Sequence, residues 1–155
     1  MYVFDTSPLS TLFKNYYPKR FPTLWRNFDA IVTGGNLVST REAYRELLDG
    51  PSAECRQWAE SNQPLFSTPN ASEGAFVARI YSVRHFHQNI EQQKLLKGGR
   101  NADPFIIARA AVESRTVVTM ELFKENAAKV PNICRHFSVP CMTLEEFMEA
   151  EQWQF

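Results

Sequence analysis

The apolar positions of this chain come in short bursts whose period changes from two to about three and a half. Tyr2-Val3-Phe4 is a β-prone run that stops at Asp5, and Leu9, Leu12 and Phe13 then recur at helical spacing. Pro8 suits the first turn of that helix, with Ser7 as its predicted N-cap. The opening therefore reads as a strand whose C-terminal end delivers Asp5 into a strand-to-helix turn. Ligands and catalytic groups collect at that end of the strands in open parallel α/β sheets.

The same alternation continues. Leu24, Trp25, Phe28 and Ile31-Val32 mark a helix over 22–32, stopped by Gly34-Gly35, and 36–39 is a strand candidate. A helix over 40–48, capped by Ser39 or Thr40, closes at Asp49-Gly50-Pro51. Another helix is predicted over 52–61, a connector over 64–69, and a strongly apolar helix over 72–86. Residues 88–100 are polar and end in Lys97-Gly98-Gly99-Arg100, a candidate mobile loop. Asp103 at the N-cap and Pro104 behind it open a further helix, and 115–119 is the clearest strand. A last strand is predicted over 139–142 and a closing helix over 144–151. Strands alternating with helices point to the α/β class, with a parallel sheet of four to five short strands covered on both faces.

Composition narrows the class without naming a function. At 155 residues the chain reads as a single domain, 1–155, with a helical middle segment at 52–100. Abundant aromatics, 12 Phe, 5 Tyr and 3 Trp, argue against long disorder. The formal net charge of zero leaves nucleic-acid binding to local patches. Cys55, Cys134 and Cys141 lack paired zinc spacing and fit a reducing cytoplasm. His85 and His87 fall on different faces of a helix, so they make no zinc pair. No apolar run reaches membrane-spanning length, and a strand beginning at residue 2 leaves no room for a signal peptide, so a cytoplasmic protein is expected.

Candidate chemistry lies in the acids. Asp5 leaves the first strand, Asp103 opens a helix and Glu121 follows the strand ending at Thr119. Glu42 and Glu46, one turn apart, share a face of the helix after the second strand. Each has an ordinary reading as a helix cap, a first-turn acid or a solvated residue. Their joint placement at one sheet edge carries the functional reading. Two carboxylates about 5 Å apart repel by roughly 3 kcal/mol at an effective dielectric near 20, so a divalent cation or protonation must compensate. An all-oxygen donor set suits Mg²⁺ or Mn²⁺.

This pattern resembles the PIN-domain ribonucleases, the fold of VapC-like toxins of type II toxin–antitoxin modules. The resemblance rests on Val3-Phe4-Asp5-Thr6-Ser7, Arg45-Glu46-Leu47-Leu48, Ala102-Asp103-Pro104-Phe105-Ile106-Ile107-Ala108 and Thr116-Val117-Val118-Thr119-Met120-Glu121. It implies a three-layer sandwich and an acidic quartet of Asp5, Glu46, Asp103 and Glu121, with Ser7 or Thr119 as a polar helper. The family's last acid is more often Asp, so Glu121 would ligate through water. Glu46 is favoured over Glu42 because Glu-Leu matches the family's dipeptide.

The resemblance further implies an Mg²⁺- or Mn²⁺-dependent endoribonuclease in which a metal-activated water cleaves RNA to a 5′-phosphate and a 3′-hydroxyl. A cognate antitoxin and a homodimer are implied as partners. Basic residues must flank an acidic site that binds RNA; Arg41, Arg45, Lys97 and Arg100 are the main candidates, with Arg79, Arg84 and Lys94 behind them. Two rivals remain. A haloacid-dehalogenase-like phosphohydrolase of small phosphate esters would want a second Asp where Ser7 stands, and a PIN-fold binding module without catalysis would keep the acids for other ends.

Overall fold

The computed structural model describes residues 1–96 and 101–155. Five parallel strands form one sheet: β1 (Tyr2–Phe4), β2 (Leu37–Thr40), β3 (Phe66–Ser67), β4 (Thr116–Thr119) and β5 (Cys141–Thr143), in the spatial order β3-β2-β1-β4-β5. The helices among the described residues are α1 (Thr6–Asn15), α2 (Pro22–Thr33), α3 (Arg41–Leu48), α4 (Ala53–Ser61), α5 (Ala71–Ser82), α6 (His87–Leu96), α7 (Asp103–Glu113), α8 (Val130–His136) and α9 (Leu144–Ala150).

Strand alternation sorts the core into two layers. Tyr2, Phe4, Leu37 and Val118 face one side, where they meet Leu9 and Leu12 of α1, Phe28 of α2, Leu47 of α3 and Phe147 of α9. Val3, Val38 and Val117 face the other, against Ile80 of α5, Ile106 and Ile107 of α7, and Ile133 and Cys134 of α8. With both faces covered, every strand residue of β1 and β2 is buried, which is why the strands read as apolar runs. The expected three-layer α/β sandwich is therefore the observed architecture. Among the described residues, no helix is long and apolar enough to cross a membrane.

Topology selects one place on this sheet. From β1 the chain moves outward through β2 to β3, then returns across the sheet to β4 and continues outward to β5. The two directions part between β1 and β4, and such a switch point opens a crevice at the strands' C-terminal ends. Those ends carry Asp5 and Thr119.

Several local expectations change. Asp5, not Ser7, caps α1, because its Oδ1 accepts from the Thr6 amide at 2.7 Å. Ala102 occupies the N-cap of α7, Asp103 is the first residue of the helix, and no side chain caps it. The predicted helix over 72–86 breaks at Val83, after which a 3₁₀ turn spans Arg84–Phe86. Residues 66–67, expected as connector, add the edge strand β3, and the polar stretch from 87 to 96 is helical. The candidate loop Lys97-Gly98-Gly99-Arg100 lies outside the described residues.

Candidate functional site

Asp5 sits where β1 ends. Its amide still donates to the Val118 carbonyl at 2.9 Å, so the ladder fixes the backbone while the side chain projects beyond it. The side chain is buried, only 3% of the residue being exposed, and every donor to it is neutral: the Thr6 amide at 2.7 Å, the Thr119 hydroxyl at 2.9 Å and, more weakly, the Ser7 hydroxyl at 3.4 Å. A buried carboxylate held only by neutral donors keeps its charge uncompensated among the described residues. That is the electrostatic condition of a cation site.

Two hydroxyls tie the β1 end to the β4 end. Thr119 Oγ1 donates to Asp5 and accepts from the Glu121 amide at 3.2 Å, while Ser7 Oγ accepts from the Met120 amide at 3.2 Å. Both predicted helpers thus hold Asp5 and the loop after β4 in one frame.

Glu46 and Glu42 part company. Glu46 accepts from the Thr6 hydroxyl at 2.6 Å and from the Ala102 amide at 3.3 Å, linking the residue after Asp5 to the residue before Asp103. Glu42 instead accepts the Arg41 guanidinium at 2.8 Å, and its Oε2 is enclosed with no hydrogen-bond partner. Of the two, Glu46 is the one bonded to the segments carrying Asp5 and Asp103. Arg41 thus neutralises Glu42, while Arg45 is exposed on α3. Arg79 lies over the Phe76 and Phe137 rings at 5.0 and 5.4 Å. Lys97 and Arg100 lie outside the described residues.

Asp103 is 1% exposed at the start of α7. Asn89 of α6 donates to its Oδ2 at 2.9 Å and to the Ala128 carbonyl at 3.0 Å, and Asn101 donates to Asn89 Oδ1 at 2.8 Å. This buried amide was missed in the sequence because nothing distinguishes it within a polar stretch. Thr6 had a signal, the D-T-S opening, but its reach to Glu46 is a tertiary fact.

Cys134 of α8 is fully buried. Its thiol is pushed well up, first by a hydrogen bond with Cys141, then by burial and by the charges of Cys141, Asp5 and Asp103. One buried thiol therefore feels both aspartates, which stand far apart in the sequence. Tyr81 is likewise raised, by burial first and then by Asp103.

Glu121 follows β4 and reaches the start of α8. Its Oε2 accepts from the Val130 amide at 2.7 Å, at the first residue of α8, so it serves a helix N-terminus as an acid placed there commonly does. Among the described residues no three His, Cys, Asp or Glu side chains are grouped closely enough to hold a metal ion. Asp5, Asp103 and Glu46 offer oxygen donors only, the chemistry a hard cation prefers.

Residues 2–155 match the family described as Domain of unknown function (DUF4411). No curated protein matches the chain.

Proposed function

The chain belongs to the DUF4411 family, and we propose that in it the acidic crevice serves a divalent-cation-dependent endoribonuclease of the PIN type. The observation that carries this reading is Asp5, a buried carboxylate with only neutral donors, set at the switch point of a parallel sheet and joined through Thr6 and Glu46 to the segment bearing Asp103. Asp5 and Asp103 would hold Mg²⁺ or Mn²⁺. When bound, such a cation offsets the charge of a scissile phosphate and acidifies a coordinated water.

The chain's own residues supply positioning. Thr119 and Ser7 keep the Asp5 carboxylate in one orientation, and Asn89 does the same for Asp103. Glu46, fixed by Thr6 and the Ala102 amide, is the acid that orients an attacking water and takes up its proton at a carboxylate oxygen. Glu121 positions the loop after β4 through its bond to Val130. Hydrolysis then leaves a 5′-phosphate and a 3′-hydroxyl, as the PIN resemblance implies. The cognate antitoxin and the homodimer belong to the same proposal; a chain that stays monomeric across concentrations removes the dimer.

Mn²⁺-dependent cleavage of mixed single-stranded RNA by the wild type, lost in Asp5→Asn with its fold intact, is the expected result. The second reading is a PIN-fold binding module without catalysis. RNA binding without cleavage at millimolar Mn²⁺ would select that module and overturn the nuclease.

A further inference from the structure

Glu121 also lines a cavity of about 500 Å³ beside β5, together with Phe123, Arg135, Met142, Thr143 and Glu146. Its volume is in the range that takes a small organic ligand. Phe123 is 46% exposed and the Arg135 guanidinium lies 4.9 Å from the centre of its ring. Among the described residues Arg135 makes no ion pair and donates no side-chain hydrogen bond, so its donors remain open to a ligand. An aromatic ring stacked with an uncommitted guanidinium is a platform for planar groups, and both surfaces are ones on which single-stranded bases stack.

We propose that this cavity is the nucleobase subsite of the enzyme, seating the base next to the scissile phosphate. The inference rests on the nuclease reading for its phosphate. Its own support is the shared wall: Glu121 lines the cavity and is bonded through its amide to Thr119, which in turn holds Asp5. A phosphate at the acids and a base at Phe123 would therefore be neighbours on one strand. Phe123 supplies the stacking face, and Arg135 supplies donors to acceptor atoms on the base edge, which favours bases presenting carbonyl or ring-nitrogen acceptors.

A protein partner would also cover Leu122, which is 66% exposed, but the charged lining of the cavity, which includes Arg135, Glu121 and Glu146, matches the mixed donors and acceptors of a base edge better than an apolar anchor. The test measures binding of hexaribonucleotides of each base, and of an abasic hexamer, to the full chain in chelator, where cleavage is suppressed. Wild type, Phe123→Ala and Arg135→Gln are compared, and Mn²⁺-dependent cleavage is followed separately. Both side chains are exposed, so the variants should fold.

Phe123→Ala is expected to weaken base-bearing strands by at least about tenfold, the scale of one base–aromatic stack, and to leave the abasic strand unchanged. Arg135→Gln is expected to alter the ranking of the four bases. Equal binding of base-bearing strands by wild type and Phe123→Ala overturns the subsite, and so does an equal loss on the abasic strand. A Phe123→Ala variant that only dissociates a dimer assigns the patch to a second copy and likewise overturns it. A base-dependent loss without any cleavage leaves the subsite standing and removes the nuclease reading; cleavage without a base-dependent loss does the reverse.

Discussion

Asp5 receives its hydrogen bonds from groups that other elements hold in place, so its carboxylate is held in one orientation. Thr119→Val keeps the side-chain shape and removes the hydroxyl that serves both Asp5 and the Glu121 amide. Loss of such a supporting group typically lowers metal affinity about 10- to 100-fold. Titration calorimetry with Mn²⁺ is therefore expected to show a weakened site in a folded protein, and unchanged affinity would place the cation elsewhere. Asn89→Ala tests the other aspartate. It strips Asp103 and the Ala128 carbonyl of a buried donor and should cost about 1–3 kcal/mol in urea unfolding, beside its effect on Mn²⁺. Legibility at this scale was uneven. Asp5 and Asp103 stand in recognisable local contexts, whereas Asn89 acquires meaning only when α6 packs beside the start of α7.

Elements differ in what holds them. In α9, Thr143 accepts from the Glu146 amide and Glu146 reaches back to the Thr143 amide, a capping box written plainly in the sequence. Phe147, from the same helix, is fully buried and meets the Tyr2 and Phe4 rings edge-on at 4.7 and 5.0 Å. Thr143→Ala should cost about 1 kcal/mol. Phe147→Ala should cost about 3–5 kcal/mol, because it empties a site enclosed by the sheet. Chemical denaturation of both variants would show packing dominating the cap; the reverse order would mean that α9 is held by its own terminus. By contrast α8 has no side-chain cap of its own and begins at Lys129-Val130-Pro131, so its start depends on Glu121 reaching from the end of β4. Strand β3 is two residues long and exists through its pairing with β2, for which no periodicity can form in so short a run.

At the scale of the molecule, the two ends of the chain meet. Tyr2 in the first strand donates its phenolic hydrogen to Glu151, 149 positions away, and the Trp153 ring packs 5.2 Å from Phe147. Burial first, then the hydrogen bond and charge of Glu151, push the Tyr2 phenol from 10.0 up to about 12. An unfolded chain gives up this proton near pH 10 while the folded one keeps it until about pH 12, so folding is favoured by the difference only while the phenol stays neutral. That advantage is complete below pH 10 and is lost as the pH rises towards 12. Tyr2→Phe should remove that alkaline dependence and lower stability at neutral pH by about 1 kcal/mol. Urea midpoints across pH 8–12 measure it, and a wild-type profile identical to that of the variant would sever the link between the ends.

Amino-acid order alone determined the layered α/β class, most helix boundaries and the acids worth weighing, because period, caps and breakers are local properties of the chain. Tertiary structure decided which partner each acid finds. Glu46 was separated from Glu42 by hydrogen bonds from Thr6 and Ala102, Glu121 was drawn to the start of α8, and Arg135 was set against Phe123 beside the crevice. The physical reason is that a carboxylate's partner is chosen by the packing of distant elements, and a helical face shared by two glutamates does not say which neighbour each will find.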